Sequence, residues 1–161
     1  MKLPSIESMF PQLPLGAPAA VAAVVGGPIG KEIVDAGFET CCIRLSRALN
    51  YSGAPVSGWH GMANPYMGAG GKVRAMQGAD SKWYIYSCYD LRVYLTNRYG
   101  HPRRFKGNAD ESTVAGVPGV IMFGFLHVDL WNGSAVRNHS YFGDPRVVAE
   151  GVYIWPAGTT T

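Results

Sequence analysis

Two residues in this chain offer the most chemistry: a thiol at the start of a predicted helix and an imidazole on a predicted strand. The first lies in Thr40-Cys41-Cys42-Ile43-Arg44-Leu45-Ser46, the second in His127-Val128-Asp129-Leu130-Trp131. A cysteine attacks as its thiolate, and the N-terminal end of a helix favours that anion. An imidazole held on a sheet can take the thiol proton and return it to a leaving group. If the two meet in space, the chemistry is that of a cysteine hydrolase. The competing reading is a non-catalytic binding module with a buried, inert Cys41, because free cysteines are often buried.

The elements that must position this pair follow from local signals. Thr40 is a plausible N-cap for a helix running to about Tyr51, with Gly53 beyond its end. At about 100° per residue, Cys41, Leu45, Ala48 and Leu49 share one face, Cys42 sits at its edge, and Arg44, Ser46, Arg47 and Asn50 fall elsewhere. His127 to Trp131 alternates, which predicts a strand with His127, Asp129 and Trp131 on one side. The apolar run Gly119 to Phe125 predicts its neighbour, and both strands are expected to be central. Asn132-Gly133 predicts a tight hairpin, with a returning strand over Ala135 to Phe142. Pairing across that turn places Asn138 opposite His127, within a residue. Asn138 is thus the geometric candidate to orient the ring, as Asn does in papain-like proteases. His139 is its neighbour. Asp129 shares the face of His127, but two residues along a strand is a poor distance for a side-chain bond.

Elsewhere the chain reads as one domain, 1–161, whose Pro-rich residues 1–18 form an extended arm. A short helix over Ala19 to Val25 is expected to stop at Gly26-Gly27-Pro28, with a further turn over Gly30 to Val34. The glycine-rich stretch 53–82 is irregular, and Trp59 and His60 in it could border a cleft. Trp83 to Tyr86 is a strand candidate. Ser87 and Asp90 suggest a capping box for a helix through Arg98, and Gly100 ends it. Pro102 to Pro118 reads as a polar loop, and Gly151 to Trp155 as the last strand. Helices first and an antiparallel sheet afterwards is an α+β order.

The 161 residues, 47% hydrophobic and 16% charged, fit a globular chain with a sizeable core. A net charge of +3 without a basic stripe argues against nucleic-acid binding. The apolar run Ala17 to Val25 is too short to span a bilayer, and the Pro-rich segment before it lacks the basic character of a secretory leader. If the protein is exported, a route without a signal peptide is therefore expected, with no membrane insertion. The three cysteines, Cys41, Cys42 and Cys88, leave at least one thiol unpaired and fit either a Cys42–Cys88 disulfide or three free thiols. No CxxC spacing appears, so neither a metal nor another cofactor is expected.

Three stretches together resemble family 4 of the type VI secretion amidase effectors. They are Val25-Gly26-Gly27 through Gly30-Lys31-Glu32-Ile33, the long block Phe38-Glu39-Thr40-Cys41 to Gly53, and His127-Val128-Asp129-Leu130-Trp131-Asn132-Gly133. The resemblance implies a papain-like cysteine endopeptidase fold, with N-terminal helices packed on an antiparallel sheet. It implies hydrolysis of peptidoglycan stem peptides at the γ-D-glutamyl–meso-diaminopimelate bond, in a rival's periplasm, after export by the type VI apparatus. It also implies a cognate immunity protein as partner. Carried over by position, the nucleophile is Cys41 and the base His127, while Asn138 stands where the family has an Asp. Cys42 takes the place of a small spacer. Some members carry a disulfide near the hairpin, for which this chain has no cysteine after Cys88. Trp59, His60, Asp129 and Arg44 are candidate substrate-binding residues, although Arg44 reads more simply as a solvated helix residue. Another papain-like protease or acyltransferase is the remaining alternative.

Overall fold

Leu3–Ser5 is the first strand, β1, followed by a short helix α1 over Ile6–Met9 and a 3-10 turn over Phe10–Gln12. This computed structural model describes residues 1–106 and 108–159. The opening residues are thus not the extended arm expected: Leu3, Met9 and Leu13 are buried and anchor them to the core. Helix α2 spans Pro18–Val25 and α3 spans Gly27–Ala36. The glycines between them redirect the chain, and the helix restarts at once and runs longer than the single turn expected. Gly27 has φ +62°, and a Cβ there would lie 2.5 Å from the carbonyl carbon of Gly78. Only glycine permits that conformation and that approach.

Helix α4 spans Cys41–Asn50. Its extent matches the local signals, but its polar residues are not left to solvent. Arg44, Ser46 and Asn50 are buried, so nearly every side of it is packed. The Ser46 hydroxyl accepts from Ile85 N–H at 3.0 Å and donates to Ile85 O, and Asn50 Nδ2 donates to Trp83 O at 2.8 Å. These bonds satisfy polar groups that burial would otherwise penalise by about 1–3 kcal/mol each.

Segment 51–82 is largely irregular. It contains a 3-10 turn over Pro65–Met67 and the two-residue strand β2, Met76–Gln77, which pairs with β3, Trp83–Tyr84. Helix α5 spans Cys88–Tyr99. Ser87 is its N-cap residue without a side-chain cap bond, and the Asp90 carboxylate turns to Asn64 and Arg74 rather than back to the cap.

The remaining strands are β4, Arg103–Phe105, inside the expected loop, then β5, Gly119–Phe123, and β6, His127–Trp131. A short helix α6, Pro145–Val148, precedes β7, Val152–Gly158. The sheet order is β1-β7-β5-β6, with β4 also on β7. All pairings in it are antiparallel except β1 with β7. Strand β6 therefore lies at an edge, not in the centre. The returning strand of the hairpin does not form, and only Trp131 and Val136 make a bridge.

Alternation divides the two sides of β5 and β6. Val120, Met122, Val128 and Leu130 pack with Leu45, Leu49, Leu91 and Leu95 of the helices. Ile121, Phe123 and Trp131 pack with Val114, Val147 and Ile154. Each fully buried large apolar side chain contributes roughly 1.5–3 kcal/mol, so both layers fix the strand that carries His127.

Candidate active site

Cys41 is the first residue of α4, and α4 packs against β6 and β3. The first intrahelical bond runs from Arg44 N–H to Thr40 O at 2.8 Å. The N–H groups of Cys41, Cys42 and Ile43 ahead of it have no acceptor within the helix, and they point from its positive end. Thr40 serves the helix differently from the cap expected: its hydroxyl accepts from Arg44 Nε at 3.0 Å. Cys41 is partly exposed and Cys42 is buried in the core. Of the two adjacent thiols, Cys41 is therefore the accessible one, at the margin of the packed face rather than inside it.

His127 is buried, and its Nε2 lies 2.9 Å from Asp129 Oδ2. The ring's partner is therefore Asp129, and among the described residues Asn138 makes no side-chain bond to it. Two differences from the expected hairpin explain this. The turn spans Asn132 to Ala135, with Asn132 Oδ1 accepting from Ser134 and Ala135 N–H groups, so the register shifts. Asn138 then falls opposite Asp129, not His127. Its backbone N–H donates to the Asp129 carboxylate at 3.1 Å, and His139 N–H does so at 2.8 Å. Leu130 N–H adds a bond at 2.8 Å. The chain wraps the buried carboxylate rather than continuing the ladder, which is why no returning strand forms.

The electrostatics of the pair follow from these contacts. Hydrogen bonds from the Cys42 and Cys88 thiols, then the hydrogen bond and charge of His127, hold the Cys41 thiol well below its usual pKa against the effect of burial. Cys42 is pushed far up by its hydrogen bonds to Cys41 and Cys88 and by burial, and it remains a protonated donor. Burial disfavours the His127 cation, but Asp129 and Cys41 outweigh it and raise the ring to about 9. Between those two values the site holds a thiolate beside an imidazolium, with His127 Nδ1 as the ring nitrogen not bound to Asp129.

A cleft of about 390 Å³ opens in front of Cys41, lined by Phe38, Glu39, Arg74, Tyr86, Tyr89 and Phe125. Tyr89 stacks on Phe125 with centroids 4.3 Å apart. The other residues expected from sequence lie elsewhere. Trp59 stacks on His60 at 3.8 Å and meets Trp83 edge-on, and neither Trp59 nor His60 lines this cleft. Arg44 is no solvated residue: it donates to Pro14 O at 3.0 Å and to Gly16 O at 2.6 Å. Asp129 lies beneath His127, fully buried and away from any substrate. From sequence, Asp129 ranks behind Asn138 as the ring's partner, although the shared strand face is the signal that points to it. No local signal points to Arg74, Tyr89 or Phe125.

The family model described as "Type VI secretion system (T6SS), amidase effector protein 4", or Tae4, matches residues 38–155. Among solved structures, the chain is similar to the effector of an effector–immunity system from Salmonella typhimurium. That match has 29% identity and a TM-score of 0.77, covering 96% of this chain and 99% of the other. The S. typhimurium effector in complex with an Enterobacter cloacae immunity protein matches with 27% identity, a TM-score of 0.77 and the same coverage. The E. cloacae effector shares the fold, with 22% identity and a TM-score of 0.75, over 98% of this chain and all of the other. No curated protein matches the chain.

Proposed function

The chain belongs to family 4 of the type VI secretion amidase effectors, and from that premise we propose that it cleaves peptidoglycan stem peptides by cysteine–histidine catalysis. The bond is the γ-D-glutamyl–meso-diaminopimelate amide, and the compartment is the periplasm of a target cell. The observation that carries this reading is Cys41 on an aromatic cleft, electrostatically paired with the buried His127, which Asp129 holds from behind.

Each residue has one task. Cys41 thiolate attacks the amide carbonyl, and the unpaired N–H groups at the start of α4 receive the oxyanion. His127 gives its proton to the leaving amine, then takes one from the water that releases the acyl-enzyme. Asp129 fixes the ring and favours its charged form, as the acid of a catalytic triad does. Arg74, exposed at the cleft wall and tied to buried Asp90 at 2.9 Å, is a cation suited to a stem-peptide carboxylate.

The S. typhimurium relatives are known as effector–immunity complexes, and a cognate immunity protein that covers this cleft is the corresponding partner here. No helix among the described residues is long and apolar enough to cross a membrane. The protein is made in the producing cell and delivered by the secretion apparatus.

The test is digestion of purified muropeptides followed by mass spectrometry. The wild type yields fragments split at the γ-D-glutamyl bond, and Cys41→Ala yields none while keeping its fold. Activity that survives in Cys41→Ala but is lost in Cys42→Ala would overturn the nucleophile. Cleavage at another bond would overturn the substrate.

A further inference from the structure

Three thiols meet where two helices begin. Cys41 and Cys42 open α4, and Cys88 opens α5. All three are free. Their sulfurs are separated by 3.9 Å (Cys41–Cys42), 4.0 Å (Cys41–Cys88) and 3.4 Å (Cys42–Cys88). Three atoms so spaced lie on a circle of about 2.2 Å radius, close to the roughly 2.3 Å of a metal–thiolate bond. One point is therefore within bonding distance of every sulfur with little rearrangement. Hydrolysis needs one nucleophilic thiol, and a disulfide would need two. A trigonal ion uses all three.

We propose that Cys41, Cys42 and Cys88 form a trigonal thiolate site for a thiophilic d10 cation, copper(I) in preference to zinc(II), which blocks the nucleophile when bound. Soft thiolates select these ions, and zinc usually takes four ligands, whereas this cluster offers three. Binding is an exchange without redox change: one cation enters, three sulfur–metal bonds form, and the Cys42 and Cys88 thiols each release a proton, Cys41 already being the thiolate. The positive ends of α4 and α5 offset the negative charge of the complex. The cleft reaches all three cysteines and gives the ion its path. The site itself rests on the sulfur geometry, while the blocking effect rests on Cys41 being the nucleophile.

The experiment is an anaerobic titration of the intact protein, reduced with a non-thiol reductant, against a chromogenic copper(I) chelator, with a parallel zinc(II) arm. One equivalent of copper(I) should bind, with three sulfur neighbours at about 2.2–2.3 Å by X-ray absorption. Cys88→Ser should lose affinity by at least about 100-fold and show fewer sulfur neighbours. If that variant does not fold, as read by circular dichroism, Cys42→Ala takes its place with the same expectation. Muropeptide hydrolysis by the wild type should fall with occupancy. Cys88→Ser, with rates scaled to its own metal-free value, should need correspondingly more free copper. Unchanged affinity in both variants, two-sulfur coordination, or tighter binding of zinc than of copper would overturn the site as stated. If hydrolysis is absent altogether, the affinity and absorption measurements still decide it, so its failure is distinct from failure of the amidase reading.

Discussion

His127 sits between a carboxylate that favours its proton and a thiolate formed by giving one up. With the ring raised to about 9 and Cys41 held well below its ordinary value, the ion pair spans neutral pH. The kcat/KM profile should be flat across that range. It should fall above about pH 9, as His127 loses the proton that the leaving amine needs. It should also fall in acid, as Cys41 takes up a proton. Asp129→Asn removes a contribution that raises the ring, so the alkaline limb should move to lower pH. The same change should cost kcat on the order of 10²- to 10⁴-fold. Asn138→Ala should leave both rate and profile near wild type, because Asn138 serves the site through its backbone N–H. The reverse result, with Asn138 essential and Asp129 dispensable, would return the orienting role to Asn138. Both measurements need only a stem-peptide assay across pH.

Helix α4 shows which elements the sequence makes legible. Its span was readable because N-terminal and stop signals and apolar spacing lie within the helix itself. The depth of its burial was not, because Arg44, Ser46 and Asn50 are polar and find their partners in distant segments. Arg44→Met removes the bonds to Pro14 and Gly16 carbonyls and should destabilise by about 1.5–3 kcal/mol. Limited proteolysis should then cut first within the N-terminal segment. At the junction of α2 and α3, Gly27→Ala forces a Cβ against the Gly78 carbonyl in a left-handed conformation. The loss should be about 1–3 kcal/mol or more by chemical denaturation. The hairpin after β6 misled the pattern for a specific reason: Asn132 folds the turn around its own side chain, and Asp129 captures the N–H groups that a ladder would use.

At the level of the molecule, the proposed catalysis depends on helices and sheet meeting at one edge. Strand β6 ends the sheet on that side, and α4 packs against it, so Cys41 comes to His127 only when the two layers assemble. The opposite end of the sheet joins the chain's extremes, with β1 on β7. The irregular segment is held to the helical layer by buried Asp90, which accepts from Asn64 and pairs with Arg74. Arg74→Met leaves that carboxylate with one partner fewer. The cost should be about 2–3 kcal/mol, below that of a fully buried pair because Arg74 is exposed. The same variant should raise KM for the stem peptide more than it lowers kcat.

By itself the sequence determined the candidate thiol and base, the helix and strand that carry them, and the family. Each is written in short-range features: an opening cysteine, a two-residue alternation, a run of matched residues. The tertiary structure alone decided that Asp129 rather than Asn138 holds the ring, that Cys88 joins the other two thiols, and that Trp59 and His60 stand off the cleft. These choices turn on which donors and acceptors reach a buried group first. That competition is settled by turn geometry and by segments far apart in the chain, so no local spacing encodes it.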